Sequence, residues 1–537
     1  MNRILRAPPR GGIQTLSTPM FRPWLRLPAL LFLAALDLPA RADVALAALF
    51  QDHVVLQRDQ PVPIWGHAAP GEAVAVMFRG QTQHVLAGAD GTWLVHLAPL
   101  GGSATPAELV VAGRNTVRVS DVLVGEVWLC SGQSNMEFPV LDPASRIFHL
   151  EQAAAEVAAA DFPLIRQFKV ARAVAEKPTA TLQGDWAVCS PATAGNFTAV
   201  GYFFARELSR RLGVPVGIIN STWGGTPIES WMSAEVLASD PAFAVVDQRW
   251  RQTLAGYPAK KPAAERALAA WQEDEAIAKA AGETAHAAFL AAHRKPRQPR
   301  GPGDPWTPSG LFNGMIAPLK PYAWRGVLWY QGESNAEHAA EYRALFGAMI
   351  TQWRHDWGRG DFPFYFVQLA NYRVPADATG STYAFLREAQ AQTLALPATG
   401  MAVTIDIGNP ENIHPGNKQA VGRRLALLAL AQLHDLAGEW SGPVFASASR
   451  EGPAMRVRFT HAASLAARTA PLAGFALAGA DRIFHSANAR IVGDSVLVTA
   501  TEVAAPIAVR YAWANNPEAG LVNGAGLPAA PFRSDNW

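Results

Sequence analysis

Val124-Gly125-Glu126-Val127-Trp128-Leu129-Cys130-Ser131-Gly132-Gln133-Ser134-Asn135-Met136 is the stretch on which the fold turns. Its first six residues are the β-branched and aromatic mixture of a buried strand, and Ser131-Gly132 reads as the turn that ends it. Open α/β sheets take ligands in the crevice beyond the carboxyl ends of their strands, so a serine just past this strand is well placed for chemistry. On its own, 132–136 has the composition of an ordinary turn. It gains meaning only if other strand ends carry groups that complement a hydroxyl.

Outward from it, such groups recur. The run 214–219 leads into Asn220-Ser221-Thr222-Trp223-Gly224-Gly225-Thr226, whose glycines can bring backbone N–H groups close to a ligand. The run 326–330 leads into Gln331-Gly332-Glu333-Ser334-Asn335, with an amide donor. The run 402–405 leads into a polar loop, 406–417, that contains His414. A further apolar run, 363–367, and helical spacing at 197–212 and 417–433 complete a strand–loop–helix rhythm. That alternation predicts a parallel sheet with helices on both faces. Serine, glycine, asparagine and histidine would then meet at one sheet edge, supplying the hydroxyl, base and oxyanion donors of ester cleavage.

These blocks, in this order, resemble the SGNH hydrolase superfamily and, more closely, the sialate O-acetylesterase family. The resemblance rests on 125–136, Trp223-Gly224-Gly225-Thr226-Pro227-Ile228-Glu229, Trp329-Tyr330-Gln331-Gly332-Glu333-Ser334-Asn335 and Ile413-His414-Pro415-Gly416-Asn417-Lys418. It extends to Leu56-Gln57-Arg58 with 61–66, and to 531–537 at the end. The insertion at about 234–305 lies outside it. The resemblance implies an α/β fold with an SGNH-type, flavodoxin-like parallel-sheet core. It makes Ser134 the nucleophile and His414 the general base. The backbone N–H of Ser134, that of Gly224 or Gly225, and the side chain of Asn335 would form the oxyanion hole. An acetyl-enzyme would form on the serine and be hydrolysed by water.

The group behind the histidine is open. The superfamily often has an aspartate three residues before it, where this chain has Glu411. Asp406 is the alternative, and a backbone carbonyl serving a Ser–His dyad is the third. His338 is a rival base, but its Ala/Glu-rich surroundings suit a solvated helix residue. Gln133, Trp223, Gln331, Glu333 and Arg387 are candidate substrate contacts. For Glu333 a helix cap, for Trp223 and Trp329 core packing, and for Arg387 a surface ion pair are the competing readings. Gly493-Asp494-Ser495 lies between β runs and reads as a hairpin turn, and no Gly-x-Ser-x-Gly occurs to suggest an α/β-hydrolase.

Length and composition set the frame. At 537 residues the chain exceeds a single core, and with half its residues hydrophobic and 17% charged it is a packed protein. Lys+Arg 46 against Asp+Glu 44 gives +2, and the only basic run, 293–300, is broken by prolines, so no nucleic-acid partner is expected. Arg22 and Arg26, the apolar 27–38 and Ala40-Arg41-Ala42 form a secretory signal, with Met20 a candidate start. Export, to periplasm or exterior, is expected, and the apolar stretch is too short to span a membrane. The expected layout is a signal at 1–42, a β-sandwich-like domain at 43–119, the catalytic domain at 120–435 and a second β domain at 436–537. Cys130 and Cys189 each flank an apolar run, leaving a disulfide or two buried thiols open. No Cys/His cluster has metal-site spacing, so neither metal nor cofactor is expected. By the resemblance, the expected partner is an acetylated oligosaccharide or polysaccharide, either O-acetyl sialic acid or plant hemicellulose. A binding protein with a silent core, or a lipase-like esterase, is the alternative.

Overall fold

In the computed structural model the decisive stretch lies within one long strand, β1 (Thr116–Gly132). The structure describes residues 43–537 apart from 376, 378 and 437, so the signal segment and its cleavage site lie outside the described residues. β1 has two halves with different burial. Before Val122 exposed and buried positions alternate, and here the strand pairs antiparallel with Ser103–Ala112, one face wet. From Val122 to Gly132 every residue is buried, as expected of a strand covered on both faces. The strand therefore runs on through Ser131 and Gly132, which the sequence suggested as a turn, because β neighbours on both sides still supply partners there.

The other core strands are β2 (Phe162–Val170), β3 (Gly184–Cys189), β4 (Val216–Thr222), β5 (Gly326–Tyr330), β6 (Phe364–Val367) and β7 (Thr399–Ala402). Their order is β3-β2-β4-β1-β5-β6-β7. All neighbours are parallel except β3, which pairs antiparallel with β2. The sheet is thus mixed rather than purely parallel, since 171–183 returns the chain directly as a hairpin-like edge. β7 also ends earlier than expected. Arg424 donates to the carbonyl of Val403 at 2.6 Å and the Thr404 hydroxyl to that of Gln368, so 403–405 leave the ladder for side-chain bonds.

Helices α1 (Ala199–Leu212), α2 (Ala244–Ala280), α3 (Ala339–Trp357), α4 (Thr382–Gln392) and α5 (Lys418–His434) account for most of the helical residues. Alternation along the strands places them on opposite faces. Trp128 of β1 meets Phe204 of α1 with ring centroids 5.0 Å apart. Trp329 of β5 lies beside Ser131, one residue out of phase with Cys130, and meets Trp353 of α3 at 5.9 Å. Successive side chains project to opposite sides, so α1 and α3 cover different faces. Trp329 is fully buried there and is a core residue, not a sugar platform. α1 starts at an N-cap, Thr198, whose hydroxyl accepts from Gly201, and stops at Gly213 in the left-handed region. α5 crosses α1 at Gly422, where a Cβ would press into Phe203 and the backbone of Phe204.

The insertion contains Ala234–Ser239, α2 and Glu283–Ala292, mostly exposed. Beyond α5, Val444–Glu451, Ala454–Thr460, Ser495–Thr499 and Asn488–Val492 form one antiparallel sheet. Phe484–Ser486, Phe475–Ala478, Ala508–Tyr511 and Phe532–Arg533 form another. Phe532 stacks on Phe445 at 4.3 Å, joining the two. Val492 pairs with Ser495 across Gly493-Asp494, the expected hairpin turn. Cys130 and Cys189 are free and buried, with no disulfide between them, and burial pushes the Cys189 thiol up to about 12.

Candidate active site

β1 ends against β5. Gly132 has φ +126°, and a Cβ there would collide with the carbonyl oxygen of Tyr330, so only glycine lets the two strand ends close together. The N–H of Gln133 then donates to that carbonyl at 3.0 Å, and the chain turns into a single helical turn, Ser134–Glu137. Ser134 is its first residue. Among the described residues no acceptor takes its backbone N–H.

The loop after β7 carries His414 to the same edge. Asn409 accepts from the N–H groups of Glu411 and Asn412, and Asn412 in turn accepts from that of His414 at 2.9 Å. His414 Nε2 lies 2.8 Å from Ser134 Oγ, the spacing of a nucleophile and its base. Phe148 meets the imidazole edge-on at 5.0 Å. Burial, seconded by the positive charge of Lys418, holds the imidazole down to about 4, so it is neutral and able to accept a proton at ordinary pH.

Neither sequence candidate for the third position reaches His414. Glu411 is exposed and paired with Arg373 at 2.5 Å. Asp406 is buried, but Arg424 grips it with two bonds of 2.7 Å and Arg468 adds a third. Among the described residues nothing bonds His414 Nδ1, although it is buried. His338 stands apart, half-exposed beside Glu341.

Two of the expected oxyanion donors are already engaged. The N–H of Gly224 donates to the Glu137 carboxylate at 2.8 Å, and that carboxylate is also held by Arg172. Gly224 is nonetheless next to Ser134, since a Cβ on it would stand 3.2 Å from that of Ser134. The Asn335 amide donates one N–H to Glu229 at 2.8 Å and accepts from Ile228 and Gln331, which anchors the loop after β4 and leaves its second N–H without a further partner among the described residues. Gly225 is exposed, with φ +72°.

The substrate candidates divide. Gln133 is buried and accepts from the N–H groups of Gly332 and Ser334, closing the gap between β1 and β5. Gln331 donates to Thr226 and Asn335. Trp223 is half-buried with Arg172 over its ring. Arg387 is wholly buried and donates to the carbonyls of Leu369, Ala370, Ala514 and Asn515, so it cannot touch substrate. Glu333 accepts from Asn135 at 2.5 Å, and burial pushes its carboxyl above the usual range. Sequence reasoning passed over Asn135, Lys418, Glu137 and Phe148. The first three stand inside or beside the quoted motifs, but the direction of their side chains has no sequence signal.

Ile413, the residue before His414, lines a cleft of about 900 Å³ together with Ser334 and with Trp250, Arg297, Arg300 and Trp306 from the insertion and the segment after it; neither Ser134 nor His414 is among its walls. The indole N–H of Trp306 donates to the carbonyl of Gly225 at 2.6 Å, tying that rim to the loop after β4. No group of three His, Cys, Asp or Glu among the described residues is placed to hold a metal ion.

This chain carries its serine–histidine contact at a strand end of a mixed α/β sheet, and the known proteins it is similar to are carbohydrate esterases. Residues 304–431 match the family described as carbohydrate esterase, sialic acid-specific acetylesterase. A carbohydrate acetylesterase from Xanthomonas citri of known crystal structure is 41% identical, with a TM-score of 0.76 over 92% of this chain and 100% of that one. The sialate O-acetylesterase of Rattus norvegicus is 33% identical over 75% of this chain and 76% of its own length. That of Homo sapiens is 30% identical over 74% and 72%. The chain belongs to the sialate O-acetylesterase family.

Proposed function

We propose that this protein removes acetyl groups from sugar hydroxyls by a Ser134–His414 dyad. The observation that carries the reading is the 2.8 Å contact between Ser134 Oγ and His414 Nε2 at the end of β1. Kinship to the carbohydrate and sialate O-acetylesterases supports the acetyl ester as substrate. In the reaction His414 takes the hydroxyl proton as Ser134 Oγ bonds to the acetyl carbon. The carbonyl electrons move to oxygen, then return as the sugar alkoxide leaves with the proton held on Nε2. Water, deprotonated by the same nitrogen, attacks the acetyl-serine and releases acetate. The backbone N–H of Ser134 and the Gly224-Gly225 loop are the oxyanion donors, Gly224 once Glu137 yields its N–H. One such donor is worth about 3 kcal/mol in the transition state.

The strand order β4-β1-β5-β6-β7, with β2 and β3 added outside β4, supports a flavodoxin-like core of the SGNH type. The β domains at 43–119 and 436–537 and export by a signal at 1–42 belong to the same reading. No helix among the described residues is long and apolar enough to cross a membrane.

The test is acetate release from O-acetyl sialic acids and from acetylated xylan and xyloglucan oligosaccharides, beside p-nitrophenyl acetate. Ser134→Ala should lose on the order of 10⁵-fold in kcat. Equal rates in the two proteins would leave a silent, sugar-binding relative. Cleavage of the nitrophenyl ester with no release from any sugar would sink the carbohydrate assignment.

A further inference from the structure

Beneath the dyad lies a buried polar cluster that the reaction above does not use. Asn135, the residue after the nucleophile, is 1% exposed and Lys418 is 0% exposed. Lys418 Nζ donates to Asn135 Oδ1 at 2.6 Å. Asn135 Nδ2 donates to Glu333 Oε1 at 2.5 Å and to the carbonyl of Ile413, the residue before the base, at 3.0 Å. The ammonium lies over two rings, Phe138 at 4.7 Å and Tyr330 at 5.3 Å from their centroids.

Isolated ions are costly to bury, and a buried lysine–glutamate set is weak as a stability device. Its use must be sought in what it holds. Three chain segments meet at Asn135: the turn after β1 that presents Ser134, the loop that presents His414, and the loop after β5 that presents Glu333. We propose that Asn135, with Lys418 and Glu333 fixing its amide, is the positioning residue of the dyad, holding the base by its backbone in place of a carboxylate on Nδ1. The inference rests on the Ser–His reading above.

The amide cannot rotate without losing both ions, because its oxygen is committed to Lys418 and its nitrogen to Glu333 and Ile413. The rotation barrier thereby becomes a constraint on where Ile413, and with it His414, can sit. The same ions set the field at the base. Lys418 opposes a proton on His414; burial pulls the lysine itself down to about 7, and Glu333 works against that by favouring its charged form. Phe148 and Ser134, the other groups against the imidazole, carry no charge.

The experiment measures kcat and KM for p-nitrophenyl acetate across pH in the parent, Asn135→Ala, Lys418→Met and Glu333→Gln, with thermal melting as the folding control. Asn135→Ala should lose roughly 10²-fold in kcat, the effect of about 1 Å of misplacement, with KM within about twofold. Lys418→Met should move the acid limb of kcat upward from about 4, because it removes a charge that opposes the imidazolium. Glu333→Gln keeps an acceptor for Asn135, so kcat should stay within about threefold of the parent, whereas Glu333→Ala, measured alongside, frees the amide and should lose about tenfold. Should Lys418→Met not fold, an unchanged kcat in folded Glu333→Ala overturns the proposal in its stead. Asn135→Ala within about threefold of the parent in kcat, or an unmoved limb in a folded Lys418→Met, overturns it too. A parent whose hydrolysis persists in Ser134→Ala fails at the earlier step instead, before any of these variants is compared.

Discussion

At the scale of single residues, His414 combines one short bond with one bare nitrogen. Its Nε2 is on Ser134, while its buried Nδ1 has no partner among the described residues. A base without a carboxylate behind it is not driven toward the protonated form, and burial holds this one down to about 4. The imidazole acts as a base only when neutral. So kcat/KM should fall as pH drops through about 4, and stay level from there to well above the ordinary histidine value of 6.5. Glu411→Ala tests the same point from the other side, because that carboxylate is spent on Arg373 in solvent. The variant should match the parent within about twofold, with its acid limb in the same place, an exposed ion pair being worth about 1 kcal/mol or less. A 10³-fold loss in Glu411→Ala would restore a triad. Sequence could place a serine and a histidine at strand ends because strand ends are written in hydrophobic runs. It could not place Glu411 or Asp406 relative to the imidazole, because a loop of twelve residues leaves every side-chain direction open. Asp406 went to Arg424 and Arg468, one on α5 and one about sixty residues on, and neither partner is local.

At the scale of elements, the site depends on how closely β1 and β5 approach. The parallel runs were legible because a strand buried on both faces reads as a run rich in Val, Leu and aromatic residues, as 327–330 does and as 122–129 does apart from Gly125 and Glu126. The antiparallel edge β2–β3 was not, since Phe162–Val170 carries Arg166, Gln167 and Lys169 in its middle and shows no clean period. Those polar residues are kept inside by specific partners, Arg166 by Asp121 and Gln167 by the N–H of Thr198. Nor could the length of β1 be read, because glycine after serine signals a turn and gives no hint that a neighbouring carbonyl demands it. Gly132 supplies that reason. With φ at +126° and Tyr330 against its α-carbon, Gly132→Ala meets both a strained backbone and a steric block. We expect it to cost about 2 to 4 kcal/mol in urea unfolding. Whatever folded fraction remains should also lose kcat, since Ser134 is two residues on. Full stability in this variant would mean that the strand ends can part without harm.

At the scale of the whole molecule, the C-terminal β strands are joined to the sheet that carries Ser134. Three arginines take part in it. Arg533 clasps Glu388 of α4 with two bonds of 2.8 Å, and Arg468 reaches Asp406 below the histidine loop. Arg387 is the most deeply set. Sequence offered it as a substrate contact or as a surface ion pair. It is neither, and the reason lies over a hundred residues away, in Ala514 and Asn515, whose carbonyls it takes together with those of Leu369 and Ala370. Asn515 returns the contact by accepting from the N–H of Tyr383 and donating to Asp377, so the loop after Ala508–Tyr511 is sewn to the start of α4. A fully buried guanidinium whose bonds all go to main-chain oxygens leaves those oxygens bare when it is removed. Arg387→Met, similar in girth and without donors, should therefore lower stability by at least about 3 kcal/mol, at about 1 to 3 kcal/mol for each carbonyl left dry. Because Arg387 touches neither Ser134 nor His414, the folded variant should keep kcat and KM within about threefold of the parent at low temperature. A substrate-binding arginine would give the reverse pattern, an undiminished melting midpoint and a KM raised tenfold or more. Scanning calorimetry and initial rates on the same preparation separate the two, and retained stability with a raised KM would return Arg387 to the substrate.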